Sequence, residues 1–155
     1  MEKEKEAFQD LIGPDNHCHG CGTANPKGLH LKSYWDGDEA IAKWKPAPHH
    51  TAGSPAYVNG GILASLIDCH SNNLAMAAFY HRAGRRVGRD PKVWCVTAQI
   101  SIDYKKPVPI DQEIHLRARI LKNEGRKTWV ECLLAANDQV CVKGEVLLVE
   151  IHRQL

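Results

Sequence analysis

The stretch Val58-Asn59-Gly60-Gly61-Ile62-Leu63-Ala64-Ser65-Leu66-Ile67-Asp68-Cys69-His70, continuing Ser71-Asn72-Asn73-Leu74-Ala75-Met76-Ala77-Ala78-Phe79-Tyr80, holds the least ordinary choices in the chain. No proline or glycine interrupts it between Gly61 and Gly84, and good helix formers dominate, so a single long helix is expected. Leu63, Leu66, Ile67, Leu74, Ala75, Met76, Ala77 and Ala78 fall on most sides of that helix, which marks an element buried against other layers. A carboxylate in such a setting is costly unless a partner or a cleft receives it. Asp68 nevertheless stands in the middle, with Ser65, Ser71 and Asn72 three or four residues away along one stripe.

The helix start supplies a second chemical group. Asn59 is a favourable N-cap, and the Gly60 and Gly61 amides are expected to be unpaired donors at the positive end of the helix dipole, unobstructed by side chains. Such donors suit a developing oxyanion. At roughly 1.5 Å of rise per residue, however, Asp68 lies about 12 Å along the axis from Gly60, too far for both to act on one carbonyl. Two copies packing their helices antiparallel about a two-fold axis would bring the Gly60 amide of one to the Asp68 of the other, so a homodimer or a dimer of dimers is expected.

These residues resemble the hotdog-fold acyl-CoA thioesterases of the 4-hydroxybenzoyl-CoA thioesterase superfamily, closest to the phenylacetic acid degradation type. The shared motif is Gly60-Gly61 preceded by Asn59, with Asp68 nine residues after the Asn. Many members carry histidine where this chain has Asn59; a subset has asparagine there. The likeness spans roughly Cys18 to Ile151. It implies an α+β fold in which an antiparallel sheet of about six strands wraps one long central helix. The implied reaction is hydrolysis of an acyl-CoA to free acid and coenzyme A, without a cofactor. Gly60, helped by Asn59, would polarise the carbonyl, Asp68 would act as general base or nucleophile, and Thr97, in the matching pair Val96-Thr97, would sit near the nucleophilic water. Gly61, Ser65 and Asn72 are expected to line the substrate site. The alternative is a non-catalytic acyl-CoA or lipid-binding protein of the same fold.

The 155 residues suit one domain with a real core, read as 1–155 with residues 1–27 as a lead-in, and a net charge of +2 says little about partners. The opening Met1-Glu2-Lys3-Glu4-Lys5-Glu6 is charged and no later stretch reaches transmembrane length, so no membrane partner and a cytoplasmic location are expected. Six cysteines without a secretory signal read as reduced thiols. His17-Cys18-His19-Gly20-Cys21-Gly22 invites a metal, but no second Cys-x-x-Cys follows; a thiol-bearing turn without metal is expected. Cys18-x-x-Cys21-Gly22 with Asn25-Pro26-Lys27-Gly28-Leu29 also resembles the opening of a thioesterase subgroup, where it leads into the first strand.

Leu29 to Leu31 and Ala40 to Trp44 read as two short strands joined at Asp36-Gly37-Asp38, and Pro46 to Pro55 as a loop carrying His49 and His50. His70, about 200° round the helix from Asp68, is expected in the core or an interface. His81 to Lys92 is a polar loop in which Arg85, Arg86 and Arg89 could clamp the phosphates of coenzyme A, the bland reading being a solvated connection. Trp94, Val96, Ala98, Ile100, Ile102 and Tyr104 alternate with Cys95, Thr97, Gln99, Ser101 and Asp103, placing Thr97 on the more polar face. Three further strands follow, over 114–120, 128–136 and 140–150, with turns at Asn123-Glu124-Gly125 and Asn137-Asp138.

Serine hydrolase, phosphate-loop and metallohydrolase readings lack their motifs. Hotdog dehydratases use a histidine that Asn59 replaces. The basic residues form no stripe with aromatics, which argues against nucleic acid.

Overall fold

The structure is a computed structural model and describes residues 6–152; the charged opening Met1 to Lys5 lies outside them. In chain order the elements are α1 (Phe8–Ile12), β1 (Tyr34–Asp36), β2 (Glu39–Trp44), α2 (Gly60–Arg82), β3 (Trp94–Tyr104), β4 (Ile114–Glu124), β5 (Lys127–Ala136) and β6 (Gln139–Ile151). The strands form one antiparallel sheet in the order β1-β2-β4-β5-β6-β3, with the long helix against one face. This is the expected α+β arrangement, six strands around one long helix. No helix among the described residues is long and apolar enough to cross a membrane.

Local chemistry accounts for the boundaries. The Asn59 Oδ1 accepts from the Gly61 and Ile62 amides at 2.8 and 3.2 Å, which starts α2. Gly84, with φ of +64°, takes the chain away after its end. Asn137 and Asp138, both with positive φ, make the tight reversal between β5 and β6.

The first strand is not where alternation puts it. Leu29 to Leu31 is outside any strand, because its amides are already engaged: Leu29 donates to the His19 carbonyl and Leu31 to the Gly20 carbonyl. His30 between them has a φ of 55°, incompatible with an extended run, so β1 begins at Tyr34. The short helix α1 gave no periodic signal and was not anticipated.

Along α2, burial divides sharply. Leu66, Ile67, Leu74, Ala75, Ala77 and Tyr80 are fully enclosed. The helix rests directly on β6, since a Cβ at Gly144 would come within 2.5 Å of the Ile67 Cγ2. His70, expected in the core, is fully buried and completely bonded. Its Nε2 is 3.0 Å from the Ala40 carbonyl, which only accepts, so the proton sits on Nε2 and Nδ1 accepts from the Ser33 hydroxyl at 2.8 Å. Ser33 Oγ in turn accepts from Gln9 Nε2 at 3.0 Å, tying α1, β2 and α2 into one neutral polar network.

Candidate functional site

Asp68 lies two turns into α2 on the side that the sheet leaves half-covered. Its Oδ1 accepts a 2.5 Å hydrogen bond from Thr97 Oγ1 on β3. Burial pushes the Asp68 carboxyl above its ordinary range, the Thr97 bond opposes that shift, and electrostatic repulsion from Cys18 adds to it. Ordinary alternation would not aim Thr97 at the helix together with the later residues of β3. A bulge does: between Thr97 and Gln99 the pairing with β6 slips by one residue at Ala98. The two faces of β3 exchange there, so Thr97 before the bulge and Tyr104 after it both reach α2. Thr97 therefore does not belong to one continuous polar face, as the simple alternation had it.

Tyr104 is a site residue that the sequence reading missed. Its hydroxyl donates to the Gly60 carbonyl at 2.7 Å, and its ring lies 3.5 Å from where a Gly60 Cβ would stand. His50 also acts on the helix start. Its carbonyl receives the Asn59 amide, its Nδ1 accepts from the Ala47 amide, and its ring lies between Trp44 and His49. The Tyr104 role has no local signature, because it depends on a contact between residues 44 apart in sequence.

At that start the two glycines differ. The Gly61 amide is bonded to Asn59 Oδ1, so the expectation of two unpaired donors is corrected to one. The Gly60 amide, at the first helical position, donates to no carbonyl or side chain among the described residues. Asn59 uses its oxygen inward as a cap, which leaves its Nδ2 directed away from the helix.

Other expected residues are spoken for. Ser65 Oγ donates to the Gly61 carbonyl one turn back. Asn72 Nδ2 donates to the Cys95 carbonyl, and its Oδ1 is buried without a partner among the described residues. Arg85 braces its own loop, its Nη1 donating to the Arg89 and Pro91 carbonyls and its guanidinium lying over the Tyr80 ring. Arg86 pairs with Glu6 at 3.0 Å. Arg89 is exposed, with no ion pair among the described residues.

The cysteines are free thiols. Cys18, Cys21 and Cys69 converge, their sulfurs within 4.8 Å of one another, beside the residue that precedes Cys69 in the helix, Asp68. A cavity of about 350 Å³ opens at Cys18, lined also by Asn16, His17, Trp94 and Val96. A larger cavity, about 780 Å³, lies on the outer side of the sheet, where Ile41, Lys43, His115, Arg117 and Leu133 line it.

Comparison with known proteins adds the family. The thioesterase superfamily profile matches residues 56–143, which contain Asn59, Gly60, Asp68 and Thr97. The acyl-coenzyme A thioesterase THEM4 of Rattus norvegicus is 32% identical over 90 residues, covering 58% of this chain and 33% of the relative. The chain thus spans about a third of the length of that curated relative. The crystal structure of a thioesterase superfamily protein from Shewanella loihica PV-4 is 37% identical, covers 88% of this chain and 96% of its own, and superposes with a TM-score of 0.66. A hypothetical thioesterase protein of Streptococcus pneumoniae TIGR4, solved with coenzyme A, shares the fold at 14% identity and a TM-score of 0.61, covering 76% of this chain and 84% of its own.

Proposed function

The chain belongs to the thioesterase superfamily, and we propose that it hydrolyses the thioester of an acyl-CoA, releasing the free acid and coenzyme A. The observation that carries this reading is the pair on α2: a half-buried carboxylate held by Thr97, and an uncommitted Gly60 amide at the helix start. The curated relative of like sequence is an acyl-coenzyme A thioesterase, and a protein of the same fold has been solved with coenzyme A.

In the reaction the Gly60 N–H, with the Asn59 Nδ2 beside it, donates to the thioester oxygen and stabilises the charge that develops there. Asp68 takes a proton from water as the water oxygen attacks the carbonyl carbon. Collapse of the tetrahedral intermediate breaks the C–S bond, and the proton held by Asp68 goes to the departing thiolate. Thr97, bonded to one carboxylate oxygen, fixes the other toward the water.

Eight residues of helix separate the two groups in one chain, roughly 12 Å of rise, so the working site is shared between two copies. Support for pairing comes from β3. It is an 11-residue edge strand whose residues 98–101 are all exposed, and its free edge offers a row of unpaired backbone groups to a second copy. Asp68→Asn is the direct test: thiol release from a panel of acyl-CoAs should fall by about 10²- to 10⁴-fold while the assembly stays folded. Unchanged release would reject the assignment, and tight binding by the native chain without release would make it a carrier.

A further inference from the structure

Cys18, Cys21 and Cys69 make a cluster that the thioesterase reaction does not use. Sequence spacing alone gives only the Cys18-x-x-Cys21 pair; the third sulfur comes from α2, 48 residues further on, and the fold carries it to the turn.

The turn is shaped around this meeting. The Asn16 side chain accepts from the Cys18 amide at 2.7 Å, and the Gly22 amide closes back on the Cys18 carbonyl at 2.8 Å. Leu29 and Leu31 then hold the turn from outside through the His19 and Gly20 carbonyls. Gly20 lies so close to the helix that a Cβ there would stand 2.3 Å from Cys69 Sγ, and a Cβ on Gly22 would stand 2.3 Å from the Cys18 nitrogen. Any side chain at either place would push the sulfurs apart. Asn73, 3% exposed, donates its amide to Cys21 Sγ at 3.5 Å and to the Cys69 carbonyl at 2.8 Å, the kind of donor that supports a charged sulfur ligand.

The distances suit an ion better than three mutually repelling or idle thiols. Two thiolates on a tetrahedral zinc, each with a bond of about 2.3 Å, lie roughly 3.8 Å apart. Cys18 Sγ and Cys69 Sγ are already 3.6 Å apart, and the remaining separations are within 4.8 Å. We propose that Cys18, Cys21 and Cys69 bind one thiophilic divalent cation, zinc by ligand type, as three thiolate ligands with water from the Cys18 cavity in the fourth position. Sulfur donors in tetrahedral array select zinc over harder ions such as magnesium or calcium. The ion ties the N-terminal turn to α2 one residue from Asp68, bracing the catalytic helix.

The test uses the full chain, reduced and freed of metal by a chelator, then titrated with cobalt(II) as the spectroscopic stand-in for zinc. The expected result is one equivalent per chain, with thiolate-to-cobalt charge-transfer absorption and the intense visible bands of a tetrahedral site, both erased by one equivalent of zinc. Asn73→Ala should weaken the affinity by roughly 10- to 100-fold. Cys18→Ser, at a half-exposed position, should abolish the charge-transfer signal and the rise in Tm that zinc gives the native chain, with circular dichroism reporting that the variant is folded. Should Cys18→Ser fail to fold, alkylation settles the point, because zinc must protect these three thiols from a thiol reagent in the native chain and leave the others unchanged. Absence of the charge-transfer bands in the native chain, their survival in folded Cys18→Ser, or equal alkylation with and without zinc overturns the site.

Discussion

The two halves of α2 are built from the same helix formers but live in different surroundings. From Cys69 to Tyr80 every residue except Asn72 and Phe79 is buried, and the polar side chains there are neutral, His70 fully bonded in the Gln9–Ser33–His70–Ala40 chain. From Gly60 to Asp68 only Leu63, Leu66 and Ile67 are buried. The polar groups on that half are of the opposite kind: an amide with no acceptor and a carboxylate with one hydroxyl. Where the sheet covers the helix, polarity is spent on holding it in place. Where it does not, the groups are free to meet a substrate or a second copy.

The largest effect should come from separating the two groups of the open half into different chains. Gly60→Pro removes one N–H without breaking the helix, because proline is accepted at the first helical position and Asn59, with φ of −59° and ψ of 133°, already has the extended backbone that a following proline requires. Loss of that donor should lower turnover by about 10²- to 10³-fold with little change in Tm. Asp68→Asn alone is likewise expected to be inactive. Mixed in equal amounts after exchange of subunits, the two variants should recover about a quarter of native activity, since half of the dimers then carry one intact site of two. Failure of the mixture to recover anything, with exchange demonstrated, would place both groups in one protomer and end the shared-site proposal.

The buried half should respond to acid rather than to substrate. Burial pushes the His70 imidazole down to about 4, with the Ala40 bond acting weakly the other way. In the unfolded chain the ring takes up its proton near pH 6.5, so stability is fully present above that value and declines as pH falls toward 4, below which both states are protonated. The complete loss amounts to about 3 kcal/mol. His70→Phe should flatten this dependence while costing stability at pH 7, because Ala40 and Ser33 lose a partner, at about 1–3 kcal/mol for each buried group left unpaired. Urea midpoints at pH 7 and pH 5 for both proteins check the point; an identical acid loss in the two would assign it elsewhere. At the seat of the same helix, Gly144→Ala forces a methyl against Ile67 and should cost about 1–3 kcal/mol, read as a lower urea midpoint.

Much of this division is legible in the sequence. The long helix, the number of strands, the buried His70 and the isolated Asp68 all follow from periodicity and from the cost of burying a charge. What escapes is set by contacts between distant segments. The bulge at Ala98 leaves the alternation of apolar residues intact while exchanging the faces of β3, so Thr97 and Tyr104 could not be seen to share the helix side. The engagement of the Gly61 amide escapes because the N-cap preference of Asn59 does not by itself say which amides its oxygen occupies. Cys69 was invisible to a rule that looks for pairs along the chain, since its partners are brought by packing of a glycine turn.

The smallest expected effect concerns the loop after α2, where two arginines of similar sequence context have different duties. Arg85 braces the loop through two carbonyls and the Tyr80 ring, so Arg85→Ala should lower Tm and leave KM for a soluble thioester nearly unchanged. Arg89 has its side chain exposed and no ion pair among the described residues, which makes it the one member of the expected trio free to meet a phosphate. An exposed charge contact of this kind is worth about 0.2–1 kcal/mol, so Arg89→Ala should raise KM for an acyl-CoA by at most roughly fivefold at low salt, with kcat and Tm unaltered. The same acyl group on a short thiol lacking phosphates separates charge from packing: its KM should be the same for the native chain and Arg89→Ala. A rise in both substrates would show that Arg89 shapes the acyl pocket instead, and a rise in neither would return the whole loop to the role of a solvated connection.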